Sequence, residues 1–392
     1  MVFVRPSTHG KSRMRPGAKN THFYRELEAT IAELGGMFNA HLHLDRYGTL
    51  EDRYTADAQH QILANSHVSL QKKHHLINAI HGGPAYDTSD LRSRVNEALD
   101  TMVACNTRRA DTLVDVTADR VGLTALQTML EIKHTRAHEI DLRLAAYTPL
   151  GFRDDEPERW EVFEEGARQA DFIATLPEVD ELDDYPDNIG YEENCRRVIR
   201  LARELGRPLQ VHTDQRNEPG ERGTERLLEV LRTEGGYTLD SPVPAVWAIH
   251  VISPTAYDQE RFDALVDGLL EQNVGVIVCP SAAIGMRQLR PLMTPTANSI
   301  TRVLELLARG VHVRLASDNI ADICSPSTTA DLVDEVFVLS AAVRYYRIDV
   351  LAQLAAGLRL TGDQLQAVQE HLEKNEREIA RALGAEIAGS AP

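Results

Sequence analysis

Val198-Ile199-Arg200-Leu201-Ala202-Arg203-Glu204-Leu205-Gly206-Arg207-Pro208-Leu209-Gln210-Val211-His212 joins a helix, a stop and a strand in one short run. Val198, Leu201, Ala202 and Leu205 recur at the three- and four-residue spacing of one helix face. Gly206 stands where a helix C-terminus takes a left-handed residue. Residues 208–212 then read as a short buried strand that ends on an ionisable side chain.

The same unit repeats on both sides. Strands are expected at 37–41, 112–117, 141–147, 171–176, 208–212, 245–250, 274–279 and 311–317, with amphipathic helices between them, after a first helix at about 22–34. Eight β-then-α units fit a (β/α)8 TIM barrel, whose active sites gather at the carboxyl ends of its strands. A doubly wound open sheet would place a glycine-rich phosphate loop after the first strand, and the chain has none there. Helices at about 329–345, 349–357 and 362–384 follow the last strand. The expected organisation is a flexible basic arm at 1–22, the barrel at 23–330 and a helical extension at 331–392 packed on it.

A chain of 392 residues with 43% apolar content can bury a large core. No apolar run reaches the roughly 18 residues of a membrane span. The net charge is −17, and residues 1–22 carry five basic and no acidic side chains, which leaves −22 elsewhere. Nucleic acid is a poor partner for such a surface. The four cysteines are scattered without CxxC pairing, so a reducing, cytoplasmic setting is expected.

Four strand ends carry metal-ligand chemistry. His41-Leu42-His43 closes strand 1, and because residues i and i+2 of a strand share a face, both imidazoles can reach one ion. Strand 5 ends at His212, strand 6 at His250 and strand 8 at Asp318. His41, His43, His212 and Asp318 make a mixed nitrogen and oxygen site for one divalent ion with a position left for water. Such an ion brings the water's pKa toward neutrality. Asp318 can take the water's proton, and His250 can orient the water and steady the developing oxygen.

With this ligand set the chain resembles the amidohydrolase superfamily, in its cytosine deaminase-like branch, over roughly residues 37–330. The resemblance also rests on Val114-Asp115-Val116, on Leu123 to Lys133, on Val211-His212-Thr213-Asp214, on Ile300-Thr301-Arg302-Val303 and on Ser317-Asp318-Asn319. It implies a distorted barrel with one metal ion, zinc being expected and iron or manganese the alternatives. Two departures stand out. These deaminases keep a proton-shuttling glutamate three residues after the strand-5 histidine, where this chain has Gln215, and the pyrimidine-reading glutamine falls near Pro149, which disfavours cytosine. The accessory β-sandwich of many relatives has too few residues here, and no lysine ends strand 4 to bridge a second metal.

Substrate-binding candidates follow the strand ends. Glu178 leads an acidic loop that includes Asp180, Glu181, Asp183 and Asp184, a rim suited to a cationic substrate. Asp214, Gln215 and Glu218 follow His212, and Gln215 is also a candidate catalytic residue. On the strand-7 loop, Ser281, Met286, Arg287 and Arg290 can hold a carboxylate or ring substituent. His60, His67 and His74 repeat every seven residues, about 10 Å per step on a helix, too far apart to share an ion. Lys72 and Lys73 beside them can reach an anionic substrate group.

The expected function is metal-dependent hydrolysis of a C–N bond in a small nitrogen heterocycle or cyclic amidine, by hydroxide adding to an sp2 carbon. Ring opening of a lactam or imide is the second possibility, and an inactive barrel that binds a small molecule the third. The only expected partners are a small-molecule substrate and further copies of the chain in a homo-oligomer, with no membrane contact.

Overall fold

The structure is a computed structural model that describes residues 19–54, 76–286 and 299–384. Eight strands form one sheet in the order β1 to β8: Met37–Leu42, Thr107–Asp115, Asp141–Tyr147, Phe172–Thr175, Leu209–Thr213, Val246–His250, Val274–Val278 and Val313–Leu315. Every neighbouring pair is parallel. Helices run between the strands, and the expected (β/α)8 barrel is the observed one. Among the described residues every strand belongs to this sheet, and none forms an accessory β-sandwich. Helices His22–Glu33, Leu332–Val343, Ile348–Ala355 and Gly362–Leu383 lie outside the strand-helix repeat.

Strand boundaries follow the alternation of side chains. In β6, Val246 and Ala248 pack in the layer beneath the helices, while Trp247 and Ile249 point into the barrel with Phe38, Ala40, Ile277, Cys279 and Ala316. A second interior cluster joins Leu113, Ala145, Tyr147, Phe172 and Ala174. Strand β2 begins at Thr107, earlier than the apolar run implies, because Arg109 and Asp111 form an ion pair at 2.9 Å that lets polar residues enter the sheet.

The ring closes between β1 and β8, and at the seam the ladder is largely replaced by specific contacts. Asn39 Nδ2 donates to Ser317 Oγ at 2.9 Å, and Ser317 N–H donates to Asn39 Oδ1 at 3.0 Å. One residue on, Asp318 N–H donates to the His41 carbonyl at 3.0 Å. The β1 register shifts between Asn39 and Leu42, which is where His41 stands. No helix of the described residues is long and apolar enough to cross a membrane.

Asn39→Ala removes both side-chain bonds of a residue only 1% exposed. The unfolding free energy should fall by about 2 kcal/mol in chemical denaturation. A change below about 0.5 kcal/mol, the level of an ordinary surface substitution, would remove Asn39 from the closure.

Candidate metal and catalytic site

The carboxyl ends of β1, β5, β6 and β8 bring His41, His43, His212, His250 and Asp318 together. Asp318 Oδ1 lies 3.6 Å from His41 Nε2 and 3.4 Å from His43 Nε2, and its Oδ2 lies 4.0 Å from His250 Nε2. The His41 ring centre is 4.8 Å from that of His212 and 6.0 Å from that of His250. All five residues are at most 6% exposed. His41, His43 and His212, and likewise His41, His250 and Asp318, offer ligand atoms within 4.8 Å of one another.

Burial, reinforced by Arg46 at His43 and by His41 and His250 at His212, holds both rings well below the ordinary histidine range, and burial against the pull of Asp318 leaves His250 at about 4. Burial alone would raise the Asp318 pKa, but His41, His250 and His212 outweigh it and bring it to about 2. Neutral imidazoles around an ionised carboxylate are the donor set of a divalent cation.

Contacts behind the rings fix which nitrogen faces the centre. His212 Nδ1 lies 2.9 Å from the Thr175 carbonyl and can only donate to it, which frees Nε2. His41 Nδ1 lies 2.8 Å from Gln210 Oε1, and Gln210 Nε2 donates to the Ala40 carbonyl at 3.0 Å. His41 Nε2 is then a buried acceptor with no hydrogen-bond partner among the described residues, which suits a metal-ligand atom. His43 differs. Arg46 Nη2, which only donates, lies 2.5 Å from its Nδ1, so a neutral His43 carries its proton on Nε2 and must release it, or the Arg46 contact must open, for ligation. Two overlapping donor groups suit a divalent ion, His41 with His43 and His212, which requires that rearrangement at His43, and His41 with His250 and Asp318.

His250 and Val251 have φ of 75° and 51°, a conformation costing about 1–3 kcal/mol at a non-glycine residue. It is held by Thr301 Oγ1 donating to the His250 carbonyl at 2.6 Å and by Val251 N–H donating to the Thr213 carbonyl at 3.3 Å. The Ile300-Thr301-Arg302-Val303 motif therefore acts through its threonine.

No family model matches the chain. A protein of unassigned function from Haemophilus influenzae is 28% identical over 280 residues, 71% of this chain and 92% of that one. A pterin deaminase from Rhizobium rhizogenes is 24% identical over 266 residues, 67% of this chain but only 56% of that protein. Among solved structures, 5-methylcytosine deaminase from Klebsiella pneumoniae, liganded with 5-fluorocytosine, superimposes with a TM-score of 0.68 at 22% identity, covering 82% of this chain and 72% of that one. The chain shares the barrel fold of that deaminase.

In this barrel the predicted substrate residues meet different fates. Gln215 N–H donates to Glu178 Oε1 at 3.3 Å and its Nε2 to Glu178 Oε2 at 3.2 Å. Asp214 is spent on structure: its carboxylate accepts from Gly223 N at 2.7 Å and Thr224 N at 3.0 Å, capping helix Gly223–Thr233. Helix starts attract such carboxylates, and this contact corrects the expectation that Asp214 reaches substrate. Glu218 is half-buried and its N–H donates to Ser253 Oγ at 3.0 Å. Ser281 is held by Glu335. The acidic loop is largely neutralised, since Glu181 pairs with Arg226, Asp184 with Arg216, and Asp180 accepts from Phe152 N and Asn194 Nδ2. Arg287, Arg290, His60, His67, His74, His75, Lys72, Lys73 and nearly all of the basic arm lie outside the described residues.

Two groups escaped the sequence reading. Glu221 accepts from Arg216 N at 3.0 Å and contacts Ser253 Oγ. Burial, then the nearby charges of Glu178 and Asp214, pushes it to about 10. Behind His43, His81 bridges Asp115 Oδ2 at 3.0 Å and Asp119 Oδ2 at 2.6 Å, while Tyr86 joins Asp115 to Asp45. Only the Val114-Asp115-Val116 motif signalled this network.

Burial would lower the His81 pKa, but its two aspartates raise it to about 9, and although burial opposes it, His81 lowers Asp119 to about 2. The raised histidine stabilises the fold fully below its ordinary 6.5, and that contribution is lost as pH rises through about 9. The depressed aspartate contributes above its ordinary 3.8 and loses this as pH falls through about 2. The Tm difference between the parent protein and His81→Gln should therefore be largest between about pH 4 and 6.5 and shrink toward about pH 10. A difference independent of pH would contradict the charged bridge.

Proposed function

We propose that this chain is a metal-dependent hydrolase that removes the amino group from a small amino-substituted nitrogen heterocycle, with Glu178 carrying the proton. The observation that carries the reading is the Glu178 carboxyl, hydrogen-bonded to Gln215 beside the donor set of His41, His43, His212 and Asp318. The pterin deaminase relative and the 5-methylcytosine deaminase fold support a substrate of the aminoheterocycle class.

A divalent cation at His41, His212 and Asp318, with His43 once freed, would supply Lewis acidity that brings a water's pKa toward neutrality; zinc, iron and manganese all suit these donors. The protein's own groups handle the rest. Asp318, ionised at neutral pH, accepts a proton at a carboxylate oxygen. Among the described residues neutral His250 has no hydrogen-bond partner at either ring nitrogen, so it can donate to an oxygen developing on the attacked carbon.

Leaving ammonia must be protonated, and Gln215 cannot do that. Glu178 can. Burial raises its pKa to about 7, against the Gln215 N–H and Arg216, with the neighbouring Asp214 and Glu181 charges raising it further. A carboxyl near neutrality is poised to give and take a proton at physiological pH. Glu221, held protonated behind it, keeps the cluster from carrying three negative charges.

Glu178→Gln should lower kcat at least about 100-fold while leaving bound metal unchanged. Exchanging the pair, Glu178→Gln with Gln215→Glu, keeps the hydrogen bond and moves the carboxyl by one side chain; it should recover at least about tenfold of that loss. Turnover is followed by ammonia release on aminopterins and aminopyrimidines. Full activity in Glu178→Gln would remove Glu178 from proton transfer, and turnover without ammonia would favour ring opening instead.

A further inference from the structure

The opposite mouth of the barrel holds a polar cavity of about 200 Å³. Arg109, Arg143 and Arg314 line it together with Asp111, Gln210 and Trp247. These residues sit in the first three positions of β2, β3, β5, β6 and β8, except Asp111 at the fifth of β2, so the cavity lies at the amino end of the strands. The metal-ligand side chains are at the other end.

Two of the arginines have carboxylate partners. Arg109 binds Asp111 through Nε at 3.0 Å and Nη2 at 2.9 Å, and Arg143 Nε lies 3.4 Å from Asp141. Arg314 has none. Among the described residues it makes no hydrogen bond or ion pair, its Nε is buried and unpartnered, and the residue is 7% exposed. Its guanidinium is instead sandwiched, 3.9 Å from the Trp247 ring centre and 4.9 Å from that of Phe38. Stacking fixes the plane of the fork and leaves its donors for a ligand.

A buried, unpaired guanidinium is costly, because arginine keeps its proton where other groups would neutralise. Burial, then the repulsion of Arg109 and Arg143 against the pull of Asp111, makes Arg314 a weaker base than an ordinary arginine. The side chains around it carry a positive surplus, three arginines against Asp111 and Asp171, and Asp171 is itself bound by Lys133. We infer that this cavity is a binding site for a small oxyanion of the phosphate class, held by the Arg314 fork with Arg143 and Arg109 at its rim.

The site is connected to the catalytic end. Gln210 lines the cavity and its Oε1 meets His41 Nδ1 at 2.8 Å. An anion that draws on the Gln210 amide changes the contact that orients His41. Occupancy at one end of the barrel can thus bias ligand geometry at the other.

Trp247 supplies the test, since the chain has only two tryptophans. In metal-loaded Trp160→Phe protein, Trp247 is the sole tryptophan reporter, and sodium phosphate should change its emission saturably with a dissociation constant below about 1 mM. Sodium chloride at matched ionic strength should not. Arg314→Met, which retains an apolar stem against Trp247, should abolish the response, and the half-exposed Arg143→Gln should weaken binding about tenfold. An absent phosphate-specific response, or equal binding by both arginine variants, would overturn the assignment. Should Arg314→Met fail to fold, Arg143→Gln decides alone, and unchanged affinity in it counts against the site.

Discussion

The seam between β1 and β8 is the constraint on which the site depends. Parallel strands can close a barrel in many registers, yet here the Asp318 N–H is bonded to the His41 carbonyl. That bond links the two ligand-bearing strand ends and sets Asp318, at φ 62°, with its carboxylate under both strand-1 imidazoles. Asn39 and Ser317 lock the step below it. Slipping by one residue would turn His41 and Asp318 to opposite faces.

Around this seam each ligand is aimed by a neighbour. Thr175, at the end of β4, fixes His212, and three residues later Glu178 fixes Gln215, so β4 twice positions the end of β5. Gln210 does the same for His41 from below, and Thr301 secures the strained turn at His250. Burying His43, His212 and His250 costs solvation, but in neutral form they cost far less than charges would. In the proposed function, the carboxyl that the resembled deaminases keep on the strand-5 loop comes from Glu178 on the strand-4 loop. On that proposal a titratable group near neutrality is kept, and Gln215 contributes a hydrogen bond to it.

Much of this was legible in the sequence because it depends on period and chain order. The eight strands and the three helices after Asp318 emerge from alternation and from helical spacing, and the histidines stand out because they terminate apolar runs. Other features depend on contacts that periodicity does not encode. Asp214 looks like a site residue beside His212 until helix Gly223–Thr233 is seen to begin on its carboxylate. Glu221 sits in a polar loop and His81 in the short helix Ile77–Gly82, and each matters through a partner more than thirty residues along the chain, Ser253 and Asp115. Arg314 reads as an ordinary strand charge, and its isolation becomes visible only when every carboxylate near it is found paired elsewhere or out of reach.

Burial depth, tautomer and strand register all converge on a single cation-binding centre at the carboxyl end of the barrel. X-ray absorption at the metal edge of the purified protein addresses that directly. One divalent ion per chain, surrounded by imidazole nitrogens and carboxylate oxygen without sulfur, is the expected spectrum, with the imidazole signal reduced in His212→Ala. A metal-free protein, a sulfur-coordinated ion, or a spectrum unchanged by His212→Ala would contradict it.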